Sequence, residues 1–525
     1  MRENFVLPVK YEQEQKENCL SSFGGVPIFL EFLKGIGFDR MVSSKFATSS
    51  DQGFHPLHHL LTLVLINLTG GESVSDVDRL EEDAGLKRFF QKYENKFAGL
   101  RDRVFRKGRE RIFPSPSRIF TFLDRFNSDK EEEERQSTPK GQSKILPVAD
   151  DFKKLVLVNG DIVATAHRLS PSQTATMDMD NNLIISQKRN TEISYKKKPS
   201  YQPFNVYWAE QDLMLLSEFR DGNVPPGKDQ TRLLREAEAL LPGDIKKLRL
   251  RSDSAGYQHK LLEYMESGRS RFGKIKFTVS CDVSKSFRQA VQQVDENDWQ
   301  AVVYTDENGY LVETAQEVAE VCFVPETTNK RKNAPVFRYL ATREAVDIQY
   351  QFEDNGQITY LTSEYVEQKL HLEEMNKKVY KVFGIVTNES GSPLDLLLWH
   401  RKRCGNSEQE HSRLTNDMAG GRFPSDSFGE NAAWWYMSII SLNLLKLFQR
   451  YSLPRHLHRV RIKKLNGIMF RVAIKVLKRS RSLLIRIGRN LPLSDLVIEG
   501  RNKIARIHKV LRDSKIWIKN EALLI

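Results

Sequence analysis

The sequence predicts an α/β protein: a mixed-sheet core with a β-rich insertion, a helical N-terminal region before it and a basic helical C-terminal region after it. Three observations predict this class. Between residues 145 and 282 short strand-like runs alternate with helical patterns. From 283 to 393 strand-like runs follow one another with turn residues between them, and on both flanks apolar residues recur at helical spacing. At 525 residues the chain exceeds what one hydrophobic core usually supports, so two to four domains are expected, and 40% hydrophobic with 28% charged residues is an ordinary globular composition.

Residues 1–144 read as mainly helical, with periodic apolar segments in HPLHHLLTLVLINLTGG and SVSDVDRLEEDAGLKRFF. A basic stretch, RDRVFRKGRERIFPSPSRIFTFLDRF, follows, in which Pro and Ser stand ahead of an apolar-periodic run and mark a helix start. This suits a small helical DNA-binding region. NSDKEEEERQSTPKGQSK is polar and charge-rich and reads as a linker, with a boundary near Lys144.

The first part of the core, 145–282, contains strand-like LVLVNG, TATMDMD, FNVYWAE and LMLLSEFRDG. A helix follows in DQTRLLREAEALL, then a strand in KKLRLRSDSAGY, a helix from His259 and a strand in KIKFTVSCD. That order fits a mixed sheet, and ligands of such sheets gather at the ends of central strands. The insertion, 283–393, carries WQAVVYTDENGYLVET, VFRYLATRE, QITYLTSE and KVYKVFGIVTN; Trp299 at its start reads as a core residue beside a strand. Helical character returns in 394–450, the second part of the core. There AAWWYMSIISLNLLKLF, with its Ser, Asn and Lys, reads as a buried helix of a large domain and not as a membrane span. No apolar signal segment opens MRENFVLPVKYEQEQKEN, so a cytoplasmic protein without a membrane partner is expected.

Four cysteines, Cys19, Cys281, Cys322 and Cys404, lie far apart and form neither a zinc-ligand spacing nor a disulfide framework. Charge is more informative. Of the net +13, the chain from Gly429 onward holds +16, with 21 Lys and Arg against 5 Asp and Glu, and the remainder is close to −3. In 451–525, RVRIKKLNGIMFRVAIKVLKRSRSLLIRIGRN interleaves basic and apolar residues at what reads as helical spacing, giving helices with one apolar and one cationic face. Such a surface suits a polyanion, and nucleic acid is favoured over a membrane surface. Lys463, Lys464, Arg471, Lys475, Lys478 and Arg479 are the candidate phosphate contacts, together with Arg403.

Two aspartates interrupt the strand pattern of TATMDMDNN, an uncommon choice for a strand. Asp178 and Asp180 share one face of that strand, with Asp180 nearer its end. A second strand ends at Asp253, just before a Ser-Ala-Gly turn. Carboxylates on neighbouring strand ends attract a hard divalent cation, and Mg²⁺ needs only one or two of them plus substrate phosphates. A third acid is expected for a pair of metals. In WHRKRCGNSEQEHSRLTND, Asn406 or Ser407 caps a helix whose first turn carries Glu408 and Glu410, and Glu408, His411 and Thr415 line one helical face. Such acids suit two-metal phosphodiester chemistry.

The blocks TMDMDNNLI, EFRDGNVPPGKD, RLRSDSAGYQ, FRYLATRE and HRKRCGNSEQEHSRLTNDMAGGRFPS with FGENAAWW resemble those of bacterial insertion-sequence transposases with an Asp-Asp-Glu triad, members of the ribonuclease-H-like superfamily. The resemblance runs from about Leu60 to about Leu445. It implies a ribonuclease-H-like core, catalytic and metal-binding Asp180, Asp253 and Glu408, with Asp178 the alternative first acid, and two Mg²⁺ ions with Mn²⁺ as a substitute. It also implies double-stranded DNA as partner, both terminal inverted repeats and target, a homodimer on paired ends, and a nucleoid-associated location. His400, Arg403 and Thr415 stand where that branch often shows Tyr, Arg and Lys, with Arg403 one residue further from the Glu than usual. A nuclease that only hydrolyses and a domesticated, inactive DNA-binding protein are the alternatives.

Overall fold

A computed structural model describes residues 19–46, 53–98, 111–139, 142–145, 149–306, 309–331, 334–345, 350–352, 358–360, 372–375, 378–403, 406–480, 482–489 and 491–513. The chain divides into two compact units. The first joins Met1–Gln136, Pro147–Thr165 and Arg413–Asn520; the second joins Ser137–Leu146, Ala166–Ser412 and Glu521–Ile525.

The first unit is mainly helical and is built from both halves of the sequence. Its centre is the 25-residue helix Phe428–Ser452, in which Trp434, Trp435 and Tyr436 are among the largest fully buried side chains. The helix expected to be buried is so, and no helix among the described residues is long and apolar enough to cross a membrane. Its polar residues find partners in the core: Asn67 donates to Ser441 at 3.0 Å and Asn443 to Asn159 at 2.8 Å. Helix Val26–Ile36 contributes Phe29 and Phe32, whose rings meet Phe448 at 5.4 Å each, and Phe29 also meets Phe470 at 5.9 Å. Against the same helix lies Pro492–Asp513, with Arg501 paired to Glu31 at 2.9 Å.

Three local readings are corrected by this unit and its edge. LVLVNG is not a strand but lies within helix Asp150–Leu169, where Phe152, Leu155, Val158 and Ile162 are buried at helical spacing. A short continuous apolar run fits either structure, and the longer flanking pattern decides. The expected linker contains helix Asp129–Ser137, a charged helix in which the Arg135 side chain, paired with Glu132 at 3.1 Å, lies over the Phe428 ring. The basic C-terminal stretch is only partly helical. After the short helix Ile462–Leu465 and a π turn at Asn466–Phe470, Ile474–Lys478 and Leu483–Ile487 form an antiparallel hairpin, extended by Leu20–Ser21 into three strands. Ile474 and Val476 alternate inward there, so period two wins over the helical period. Helix Pro492–Asp513 keeps the region's helical character.

The second unit is built around a ten-stranded mixed sheet. Its strands are β1 (Thr174–Asn181), β2 (Phe204–Trp208), β3 (Leu213–Glu218), β4 (Lys247–Ser252), β5 (Lys276–Cys281), β6 (Gln300–Thr305), β7 (Leu311–Val321), β8 (Arg338–Ala345), β9 (Leu372–Met375) and β10 (Lys378–Thr387). The order is β6-β7-β8-β10-β5-β4-β1-β2-β3, with β9 beside β10. Strands β1, β4 and β5 run parallel, and every other pairing is antiparallel. The parallel strands are joined by crossovers containing helices Gln230–Leu240 and His259–Glu266. Strands of the insertion extend the core sheet through the β5–β10 pairing. Helix Pro393–Arg401 then packs Leu396 and Leu397 on Val302, Val318, Leu340 and Ile385. Trp299 is buried, with the Arg343 guanidinium 4.2 Å from its ring centroid.

Because helix Val26–Ile36 has its packing partners in the last fifth of the chain, residues 1–144 expressed alone are expected to show no cooperative thermal transition by circular dichroism. In the full chain Phe448→Ala is expected to cost about 3–5 kcal/mol in a denaturant titration. A fragment that melts cooperatively by itself would contradict this account.

Candidate active site

Parallel pairing of β1 with β4 matches Asp178 to Arg251 and Met179 to Ser252, so the next residue on each strand, Asp180 and Asp253, comes side by side at the same sheet end. On the other flank, antiparallel β2 sets Tyr207 opposite Asp178 and Asn205 opposite Asp180. The two aspartates of β1 share a face but have different surroundings. Asp178 is buried in a two-pronged pair with Arg251, Nε to Oδ1 at 2.6 Å and Nη2 to Oδ2 at 2.8 Å. Arg251 Nη1 also donates to the Trp399 carbonyl at 2.8 Å, tying β1, β4 and helix Pro393–Arg401 together. Asp178 is thereby committed to holding the sheet and its covering helix.

Asp180 has no such lock. Its side chain is 18% exposed, and the nearest cation is Arg403, Nη1 to Oδ2 at 3.5 Å. Burial first, and then the neighbouring Asp253 carboxylate, push its pKa up to about 6, while Arg403 pulls it down. Asp253 is half-buried and caps the turn Ser254–Gly256, accepting from the Ala255 N–H at 3.1 Å. The Ser-Ala-Gly turn expected after this strand therefore fixes the carboxylate through the backbone.

Helix Asn406–Ser412 carries the remaining candidates. Asn205 Nδ2 donates to His411 Nε2 at 3.1 Å, and Asn205 Oδ1 accepts from Ser217 at 2.7 Å, so the helix is held at the β2 residue opposite Asp180. Burial, with Arg403 second, lowers the His411 pKa to about 4, and the ring is neutral. Glu408 is exposed in the first turn, whereas Glu410 is buried and its charge helps raise the Tyr207 phenol. Arg413–Asp417 continues as a π turn, so the seven-residue step from Glu408 to Thr415 no longer measures one α-helical face. His400 is buried between Thr278 and Ser280, at 2.9 and 3.1 Å, and burial pushes its pKa down to about 3. It is a neutral packing residue and no anion clamp.

Among the described residues no three His, Cys, Asp or Glu side chains gather closely enough to hold a metal ion between them. The adjacent pair Asp180 and Asp253 nevertheless fits a hard divalent cation: both donors are carboxylates, and their mutual repulsion is what such an ion relieves. The candidate phosphate contacts other than Arg403 lie in the first unit. Lys463, Lys464, Arg471, Lys478 and Arg479 are exposed and Lys475 is half-buried. Arg251 and Asn205, the two residues that organise the site, were not singled out by sequence. Their signal was the match of RLRS and FNVYW to TMDMD in strand register, which shows only once the pairing is known.

The chain matches the family described as transposase DDE domain group 1 over residues 10–509. It belongs to that family. This transposase thus has DNA as its partner class, and enzymes of the family generally use divalent metal ions. A similar solved structure is the cryo-EM structure of a piggyBac transposase synaptic complex with hairpin DNA, 10% identical, covering 95% of this chain and 84% of that one with a TM-score of 0.35. No curated protein matches this chain.

Two outcomes follow from the unequal aspartates. Asp178→Ala leaves Arg251 buried without its partner and is expected to cost about 3–5 kcal/mol in chemical denaturation. Asp180 behaves oppositely. Its folded pKa of about 6 exceeds the ordinary 3.8, so the folded state binds the proton more tightly. Stability from this group is full below pH 3.8, falls as pH rises through the window from 3.8 to about 6, and is lost above it, by about 3 kcal/mol. In chelator at pH 8, Asp180→Asn is expected to raise stability by about 1–3 kcal/mol, with the difference from the parent vanishing below pH 4 in thermal melts.

Proposed function

We propose that this transposase binds the terminal inverted repeats of its element, cleaves the DNA ends and transfers the freed 3′-hydroxyls to target DNA, acting as a homodimer on paired ends. Asp180, Asp253 and Glu408 are the catalytic acids and hold two Mg²⁺ ions, for which Mn²⁺ substitutes. The observation that carries the proposal is the pair of carboxylates set side by side at the ends of two parallel strands, one of them raised to about 6 by burial and its neighbour.

When bound, the ions supply Lewis-acid stabilisation of the charge that develops on the attacking and leaving oxygens. The chain supplies the rest. Asp178–Arg251 fixes the strand register, and the Asp253 cap fixes the second acid. Arg403, within reach of Asp180, contributes a cation that contacts a phosphate oxygen. Neutral His411 and Asn205 hold the Glu408 helix without adding charge. On the first unit, Lys463, Lys464, Arg471, Lys475, Lys478 and Arg479 grip phosphates.

The test is cleavage and strand transfer on DNA carrying the element ends, in Mg²⁺, Mn²⁺, Ca²⁺ or chelator. Turnover is expected with the first two, binding without turnover in Ca²⁺, and no turnover in chelator; activity in chelator would overturn the mechanism. Asp253→Asn should retain binding and lose about 10³-fold in cleavage rate, about 4 kcal/mol on the barrier. Glu408→Gln should do the same with an unchanged melting temperature. Loss of cleavage in Glu410→Gln with full activity in Glu408→Gln would reassign the third acid.

A further inference from the structure

Between Asn181, the last residue of β1, and Phe204, the first of β2, the chain departs from the sheet for 22 residues and forms a separate three-stranded mini-sheet. Its strands are Ile184–Ile185, Glu192–Ile193 and Pro199–Tyr201. It grows from the strand end that carries Asp180 and contains five cations against one acid, a net +4 within the 428 residues that together total −3.

The mini-sheet is anchored firmly at its base. Tyr201 is fully buried with its ring 4.8 Å from Phe219 and bridges to Asp221. Gly222 donates its N–H to the Ser200 carbonyl at 2.9 Å, and a Cβ at Gly222 would come within 2.4 Å of the Ser200 hydroxyl. The EFRDGNVPPGKD block thus has a structural task the catalytic acids do not explain: its Phe219, Asp221 and Gly222 clasp the base of this projection.

At the far end, Tyr195, Lys196, Lys197 and Lys198 are all exposed. Lys197 adopts φ of 57°, a left-handed conformation unusual for a side chain without special reason. The turn is pinned because the Lys198 carbonyl accepts from the Ser194 N–H at 3.0 Å, the Ser194 hydroxyl at 2.9 Å and the Ser200 hydroxyl at 3.1 Å. Three consecutive lysines are thereby placed on a tight turn, and none of the three has an ion pair among the described residues. Beside them Tyr195 is 65% exposed and Ile193 54%. Clustered cations beside an exposed aromatic ring match a phosphate backbone with a sugar or base face next to it.

We infer that the mini-sheet Ile184–Tyr201 is a DNA-contacting projection that grips the phosphates flanking the scissile bond, with Lys196, Lys197 and Lys198 on the backbone and Tyr195 on a sugar or base. The inference rests on the reading of Asp180 and Asp253 as the cleavage site.

The test uses the full chain in chelator with a duplex DNA of arbitrary sequence, titrated at several salt concentrations. The variant Lys196→Ala/Lys197→Ala/Lys198→Ala alters only exposed side chains and is checked for an unchanged melting temperature. It is expected to bind at least about tenfold more weakly near 0.1 M salt, with a log–log salt slope shallower by about 2–3. Parental affinity and slope in the triple variant would overturn the inference and leave the proposed function standing. A parent that binds no duplex DNA would overturn both. A benzoylphenylalanine at position 195 is expected to cross-link to DNA on light activation, and its failure to do so would also count against the projection.

Discussion

The site depends on one buried ion pair. Asp178 and Arg251 meet across the parallel β1–β4 ladder with both guanidinium prongs engaged, in a place where neither side chain is more than 3% exposed. Removing either partner leaves an uncompensated buried charge, which is why the pair specifies the register so firmly. A one-residue slip would turn every side chain of β1 to the opposite face of the sheet. With the register set, Asp180 and Asp253 have no choice but to stand together, and their repulsion becomes a property of the fold. The strand therefore uses two aspartates for two opposite purposes: the inner one neutralised by a permanent partner, the outer one kept short of neutralisation.

The surroundings of that outer acid are sparing with charge. His400, buried, and His411, half-buried, both lie near Arg403, and both are held neutral. Had either been protonated, the acids would face two or three fixed cations and would compete poorly for a divalent ion. As it is, Arg403, 3.5 Å from Asp180, is the cation paired with that acid among the described residues. The Tyr207 phenol, raised by burial, Asp212 and Glu410, likewise stays uncharged. Neutral groups position the helix Asn406–Ser412, and charge is left to the acids.

How much of this was legible in the sequence differs by element. Strands rich in β-branched and aromatic residues, such as FNVYW and KFTVSC, are legible at the right places, as are helices Gln230–Leu240 and His259–Glu266, whereas the helix Lys285–Gln292 that follows KFTVSC is not. The parallel acids were legible because Asp is rare in a strand and rarer in two matching ones. What failed were segments whose local pattern fits two structures. LVLVNG has a strand's composition but sits in a helix whose neighbours supply the longer period. IKVLK and LLIRI alternate over five residues each, too few for basic residues at mixed spacing to separate periods of two and 3.6. Nor can a sequence show that Val26–Ile36 and Pro492–Asp513 share one core, since that information lies in packing between the chain's ends. Arg251 was invisible for the same reason: beside Arg249 in RLRSD it reads as part of a solvated basic face, and only the ladder reveals its partner.

The distribution of positive charge follows a different logic from that of the acids. Lysines at the exposed turn 196–198 and on the hairpin Ile474–Ile487 sit on short, rigid β supports, which costs little side-chain ordering beyond the ammonium itself. Contacts of this kind hold a phosphate backbone and fix its orientation but carry no sequence information. On the proposed function, recognition of the element ends needs contacts to base edges in addition to phosphate contacts. Cations next to the chemistry serve any strand brought to the acids, so discrimination between end and target falls to surfaces that read base edges. If the proposed phosphate contacts supply most of the affinity, selectivity at the sheet that carries Asp180 and Asp253 is low, and on that proposal selective end binding precedes cleavage.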